Sequence, residues 1–171
     1  MKYDHPDQDP KEHTDVRYAL VQKGKKMLFI VGLNPSRADE KKPDPTMRKV
    51  VSIAEHNGYD GFVMINLYPL RATKPKNLPK ECNLELHKQN LAYIEKYLSG
   101  RDQVDVWLAY GNNANRRPYL LSCLKDIVRV FEPHHPQWLY INALTSKGYP
   151  RHPLYQKVDK LKALPKENIK C

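Results

Sequence analysis

From Met27 to Leu33 the chain runs Met-Leu-Phe-Ile-Val-Gly-Leu without a charge, then stops at Asn34-Pro35-Ser36. An apolar, β-branched run of this length fits a strand covered on both faces, as strands of a parallel sheet are. Pro35 removes a backbone donor and holds Asn34 towards extended conformations, so the strand ends there. Ligands of open α/β sheets bind just beyond the carboxyl ends of the strands. Asn34 and Ser36 therefore stand where chemistry is usually found, although an Asn-Pro-Ser stretch also makes an ordinary polar turn.

The rest of the chain repeats this pattern. Arg17 to Val21 reads as an edge strand. Asp44-Pro45-Thr46 reads as a helix start, with Met47, Val50, Val51 and Ala54 on one face and Gly58 as the stop. Phe62 to Leu67 reads as a second buried strand. Leu84, Leu91, Ile94 and Leu98 mark an amphipathic helix closed by Gly100. Val104 to Ala109 is a third strand, followed by a helix through Leu120, Leu121 and Leu124. Val128 to Phe131 suits either a strand or a helix end. Trp138 to Leu144 is a further strand. Residues 1–15 read as irregular, and the basic tail from residue 156 to 171 as at most a short helix. Strands alternating with helices predict one domain, a three-layer α/β/α sandwich with a mostly parallel sheet. Right-handed crossovers then bring the strand ends to one edge, together with Asn34, Ser36, Asn66, Tyr68, Arg71, Gly111, Asn112, Ser146, Arg151 and His152.

Charge narrows the partners. The chain has a formal net charge of +10 over 171 residues, which favours nucleic acid or nucleotides through attraction and counterion release. The stretch Leu70 to Lys80 is basic and proline-rich, carrying Arg71, Lys74, Lys76 and Lys80. It is too long for a tight connection and reads as a surface loop above the sheet. No apolar stretch approaches the roughly 20 residues of a membrane span, and the first residues lack the apolar core of a signal peptide. Cys82, Cys123 and Cys171 are odd in number and widely spaced, as expected for reduced thiols in a cytoplasmic protein. His134-His135 has no third ligand at metal spacing, so neither a metal nor another cofactor is expected.

Four blocks, in order, resemble the bacterial and phage family of uncharacterised proteins called DUF1643. They are Leu33-Asn34-Pro35-Ser36 with Ala38-Asp39-Glu40, Asp44-Pro45-Thr46 with Arg48, Asn66-Leu67-Tyr68 with Arg71-Ala72-Thr73 and Pro75, and Gly148 with Pro150-Arg151-His152-Pro153-Leu154-Tyr155. A more distant likeness is to the uracil-DNA glycosylase superfamily. Gly32-Leu33-Asn34-Pro35 is similar to its Gly-x-Asn-Pro-Gly motif, and Met64-Ile65-Asn66-Leu67 to its middle strand with a base-reading Asn. Val106 to Ala114 resembles an apolar strand leading into Trp-Gly-x-x-Ala, and His152-Pro153-Leu154 the final His-Pro-Ser. Here Ser36 replaces a glycine, Tyr110 a tryptophan and Leu154 a serine.

That second likeness implies a uracil-DNA glycosylase-like fold and cleavage of an N-glycosidic bond. Asn34 would hold water through its amide carbonyl, and His152 would donate to the departing base. Asp39 would supply a carboxylate, since a neutral amide is no general base; Glu40 and Asp44 are further candidates. Asn66 would read the base edge, with Ser36 and Asn112 also in the substrate site and Tyr68 or Tyr110 stacking on the base. Arg71, Lys74, Lys76 and Arg151 would take phosphates. Each has a plainer reading as turn, cap or solvated charge. Two other functions stay open: recognition of nucleic acid or a modified base without cleavage, and hydrolysis of a small metabolite at the same edge.

Overall fold

A computed structural model describes residues 1–4, 6–12, 14–36 and 41–171 of the protein. These form β1 (Asp7–Asp9), β2 (Ala19–Gln22), β3 (Met27–Gly32), α1 (Pro45–His56), β4 (Gly61–Asn66), α2 (Leu84–Leu98), β5 (Asp105–Leu108), α3 (Pro118–Phe131), β6 (Gln137–Ile141) and β7 (Leu161–Ala163). The seven strands make one sheet in the order β1-β2-β4-β3-β5-β6-β7. β4, β3, β5 and β6 are parallel, and β1, β2 and β7 are joined to their neighbours antiparallel.

The protein is α/β, but its sheet is mixed rather than mostly parallel, because both ends of the chain fold back onto it. Residues 1–15, expected to be irregular, contribute β1. The basic tail contributes β7 instead of a helix. Leu161 packs against one face of the sheet and Leu164 against the other, and the Leu164 amide donates to the Trp138 carbonyl at 2.8 Å. These two apolar anchors hold the tail across the edge of β6 while its lysines stay in water. β2 is not an edge strand. Ala19, Leu20 and Val21 are all buried, which requires cover on both faces, and the strand lies between β1 and β4.

Alternation along the strands divides the core in two. Leu28, Ile30, Phe62, Met64 and Trp107 pack with the buried face of α1. Phe29, Val31, Val63, Ile65, Val106 and Leu108 pack with α2 and α3. Local chemistry starts α1 as the sequence predicts. Asp44 Oδ1 accepts from the Met47 amide at 2.8 Å, with Pro45 at the first helical position. Asn83 caps α2 through the Leu86 amide at 3.1 Å. Val128 to Phe131 ends α3 as helix, and the Phe131 ring sits edge-on to Phe29 and Trp138, each 5.5 Å away.

Candidate functional site

The parallel strands finish in step. Gly32 pairs with Asn66, and the Ala109 amide donates to Val31 at 2.8 Å. Beyond these ends, on the α1 side of the sheet, lies a cleft of about 360 Å³. Gly32, Met64, Asn66 and Ala109 belong to its strand-end lining. Asn34, Ser36, Asp44 and Thr46 line it from the loop into α1, His152 to Tyr155 from the C-terminal loop, and Arg17 from the approach to β2.

Asn66 is the decisive side chain. It is 1% exposed, and neither its Nδ2 nor its Oδ1 has a hydrogen-bond partner among the described residues. Leaving such an atom buried and unpaired costs roughly 1–3 kcal/mol, so a pair of them calls for an explanation. Gly32 makes the arrangement possible. A Cβ there would lie 2.7 Å from Asn66 Oδ1 and 2.7 Å from Met64 Cε.

Asn34 is oriented by its own bonds. Its Nδ2 donates to Pro35 O at 3.0 Å and Ala72 O at 2.8 Å. Both amide hydrogens are spent, and what Asn34 offers a ligand is the Oδ1 acceptor. The Ser36 hydroxyl donates to Asp44, whose other oxygen caps α1. Asp44 thus belongs to the cleft as well as to the helix. The sequence marked Asp44 as a cap and as a candidate carboxylate, but no spacing rule links it to Ser36.

His152 stands exposed at the rim, ahead of a 3-10 turn over Pro153–Tyr155. Its Nδ1 accepts from the Leu154 amide at 3.3 Å, so the neutral ring carries its proton on Nε2. Because part of the residue stays in water, the cleft walls desolvate the ring only in part; they hold its pKa below the ordinary imidazole value, while the Asp44 carboxylate pulls the other way. Gly111 lets this loop approach β5. Its φ is +70°, and a Cβ there would lie 3.0 Å from that of His152. Tyr155 lines the cleft with 89% of its surface exposed.

Several expectations change. Tyr68 is fully buried in the core on the α2/α3 side, where its hydroxyl accepts from the Asn83 amide at 3.1 Å. Tyr110 borders the cleft, but its side chain packs into that same core. Burial, then Cys171 and Tyr149, push its hydroxyl pKa far up. Neither tyrosine can stack on a ligand held on the α1 side; among the described residues Tyr155 is an aromatic ring exposed there. Asn112 is exposed and its neighbour Asn113 lines the cleft instead.

Arg71 is committed internally. Its Nε donates to Thr14 O at 2.9 Å, Nη1 to Ser36 O at 2.8 Å and Nη2 to Gln8 Oε1 at 3.3 Å. Arg151 Nε donates to Ala143 O at 2.8 Å. Lys74 and Lys76 are exposed. Their loop is pinned by Arg117, which the sequence reading passed over and which donates to the carbonyls of Lys76, Leu78 and Pro79. Asp39 and Glu40 lie outside the described residues. Among the described residues no three His, Cys, Asp or Glu side chains cluster as metal ligands, and no helix is long and apolar enough to cross a membrane.

A family model described as "Protein of unknown function (DUF1643)" matches residues 17–154. No curated protein and no solved structure matches the chain.

Proposed function

The chain belongs to the DUF1643 family, and from that premise we propose that its cleft recognises a nucleobase edge and hydrolyses the N-glycosidic bond that carries it. The observation behind this reading is the buried Asn66 amide, whose donor and acceptor both lack a partner among the described residues. One donor beside one acceptor on a rigid floor complements the adjacent acceptor and donor of a base edge. α1 on one face of the sheet and α2 with α3 on the other support reading the fold as a three-layer α/β/α sandwich of uracil-DNA glycosylase-like kind. This agrees with the motif likeness at Asn34, Asn66 and His152.

In the reaction the bond from the sugar C1′ to the base nitrogen breaks, and its electron pair leaves with the base. Asn34 Oδ1 accepts a hydrogen bond from the water that adds to C1′; the water's proton is balanced by protonation of the departed base. His152 Nε2–H donates to the base oxygen as negative charge develops there. Because desolvation favours the neutral imidazole, this group works as a hydrogen-bond donor rather than as an acid. Tyr155 stacks at the mouth, and Lys74 and Lys76 lie near phosphates.

The test is base release from labelled single- and double-stranded oligonucleotides carrying uracil, mismatches and modified bases, read as abasic sites. Release that disappears in Asn66→Ala and His152→Ala, with melting temperatures retained, supports the reading. No release across the panel beside an active control glycosylase refutes hydrolysis of DNA. One observation favours recognition without cleavage as the second reading. Among the described residues the cleft lining holds a single carboxylate, Asp44, and both of its oxygens already carry hydrogen bonds. Saturable binding of an oligonucleotide that is never cleaved would select it.

A further inference from the structure

Asn90 is a polar residue at the centre of the apolar face of α2, with none of its surface exposed. Its Nδ2 donates to the backbone carbonyl of Asn66 at 3.0 Å. The same peptide unit is held at its other end, where the Leu67 amide donates to Gly32 O at 2.9 Å. A peptide plane bonded at both its carbonyl and its amide cannot rotate about the bonds on either side. The direction of the Asn66 Cα–Cβ bond follows from that plane, and with it the place of the amide over Gly32. We propose that Asn90 is a positioning residue for the Asn66 amide, acting through the sheet from the face opposite the cleft. This rests on the reading that Asn66 meets the ligand.

The geometry separates this role from direct contact. α2 packs with Phe29, Val31 and Ile65, on the other side of the sheet from the residues that floor the cleft. Asn90 lines no part of the cleft. Its own Oδ1 is buried without a partner among the described residues, an expense that an apolar side chain of the same size would avoid. Strand β4 ends at Asn66, so its carbonyl lies where the ladder stops and needs a donor from outside the sheet. Asn90 is that donor.

The experiment reads Asn66 itself and does not depend on a substrate. In a ¹H–¹⁵N spectrum the Asn66 side-chain NH2 pair is assigned by its absence from Asn66→Ala. In Asn90→Leu and Asn90→Asp this pair is expected to move or broaden by more than its line width, and the Leu67 amide to exchange at least tenfold faster. The NH2 pair of Asn57, which is bonded to Ile53 O and Asp159 O far from the cleft, stays in place. An Asn66 pair that is unmoved in a folded variant overturns the proposal. If neither variant folds, the wild-type protein decides, because absence of a coupling across the Asn90 Nδ2–Asn66 carbonyl hydrogen bond overturns it as well. Where base release is found, the folded variants lose at least tenfold in kcat/KM. Absence of base release together with a displaced Asn66 pair would count against the hydrolase reading and leave the positioning role standing.

Discussion

Replacing Gly32 with alanine tests the cleft through a single methyl group. The added carbon would sit 2.7 Å from Asn66 Oδ1 and 2.7 Å from Met64 Cε, about 1 Å inside normal contact. Both neighbours are ends of side chains, so they move and the backbone stays. Gly32 lies in a regular ladder opposite Asn66, so alanine adds no left-handed strain there. It also narrows the unfolded ensemble, a gain of roughly 0.4–1 kcal/mol. Overpacking costs roughly 1–3 kcal/mol. The net loss is at most about 2.5 kcal/mol, which lowers Tm by no more than about 10 °C for a chain of this size. Recognition suffers more. A displaced Asn66 forfeits two hydrogen bonds to the base, each worth roughly 0.5–1.5 kcal/mol. The expected loss in kcat/KM is therefore about 5- to 150-fold. The assay pairs calorimetry with base release, and adds Asn66→Ala alone and combined with Gly32→Ala. If Gly32 acts through Asn66, the double variant is no worse than Asn66→Ala. A folded Gly32→Ala protein with wild-type kcat/KM would refute the reasoning, because the amide could then be moved without consequence.

Desolvation lowers the His152 pKa against the opposing pull of Asp44. The stability due to its neutral ring is therefore complete above the ordinary imidazole value of about 6.5 and is lost as pH falls through the lower folded value. Protonation puts a hydrogen on Nδ1, where the neutral ring accepts from the Leu154 amide. The ring loses that anchor, so kcat/KM falls over the same acid window, and a pH profile of His152→Gln lacks that limb. Tyr155→Ala leaves Tm unchanged, since the ring is 89% exposed, and weakens oligonucleotide binding by roughly 1–3 kcal/mol in a titration. Lys74→Gln with Lys76→Gln reduces the slope of log affinity against log salt by about 2. Arg71→Lys leaves that slope intact but costs about 2–4 kcal/mol in urea denaturation, because lysine cannot reach the three acceptors at once.

What could be read in advance depended on whether the signal was local. Met27 to Leu33 announced a buried strand because its apolar run offers no face to water, and Asp44-Pro45 announced a helix because cap and first turn are adjacent in sequence. Asn34, Asn66 and His152 were placed together by one rule about strand ends, and the cleft lining contains all three. The tyrosines failed for a related reason. Tyr68 and Tyr110 also follow strand ends, but which face a side chain takes after a strand stops depends on the turn, and both turned into the α2/α3 core. β1 and β7 were illegible because each is a strand only by virtue of its partner's edge; three residues, Asp-Gln-Asp and Leu-Lys-Ala, are too few for a period to stand out. Asn90 was hidden differently. On α2 it breaks the apolar stripe, and only the position of the Asn66 carbonyl explains it.

The charge shows the same limit at the level of function. A surplus of +10 counts cations without saying which of them face solvent. Arg71, Arg117 and Arg151 give their guanidinium hydrogens to main-chain oxygens, a task that suits a planar group with several donors and does not suit lysine. The basic loop is thereby tied at one end to Thr14 and Ser36 through Arg71. At the other it is tied to α3 through Arg117 and through Tyr119, whose hydroxyl donates to Pro79 O at 3.1 Å. Lys74 and Lys76 stand between these ties, exposed on backbone that is already fixed. A phosphate arriving there orders two side chains and little else, so less of each contact is lost to entropy. The arginines of this loop thus act on binding by holding the lysines in place. The salt slope should therefore follow the lysines, and the unfolding free energy the arginines.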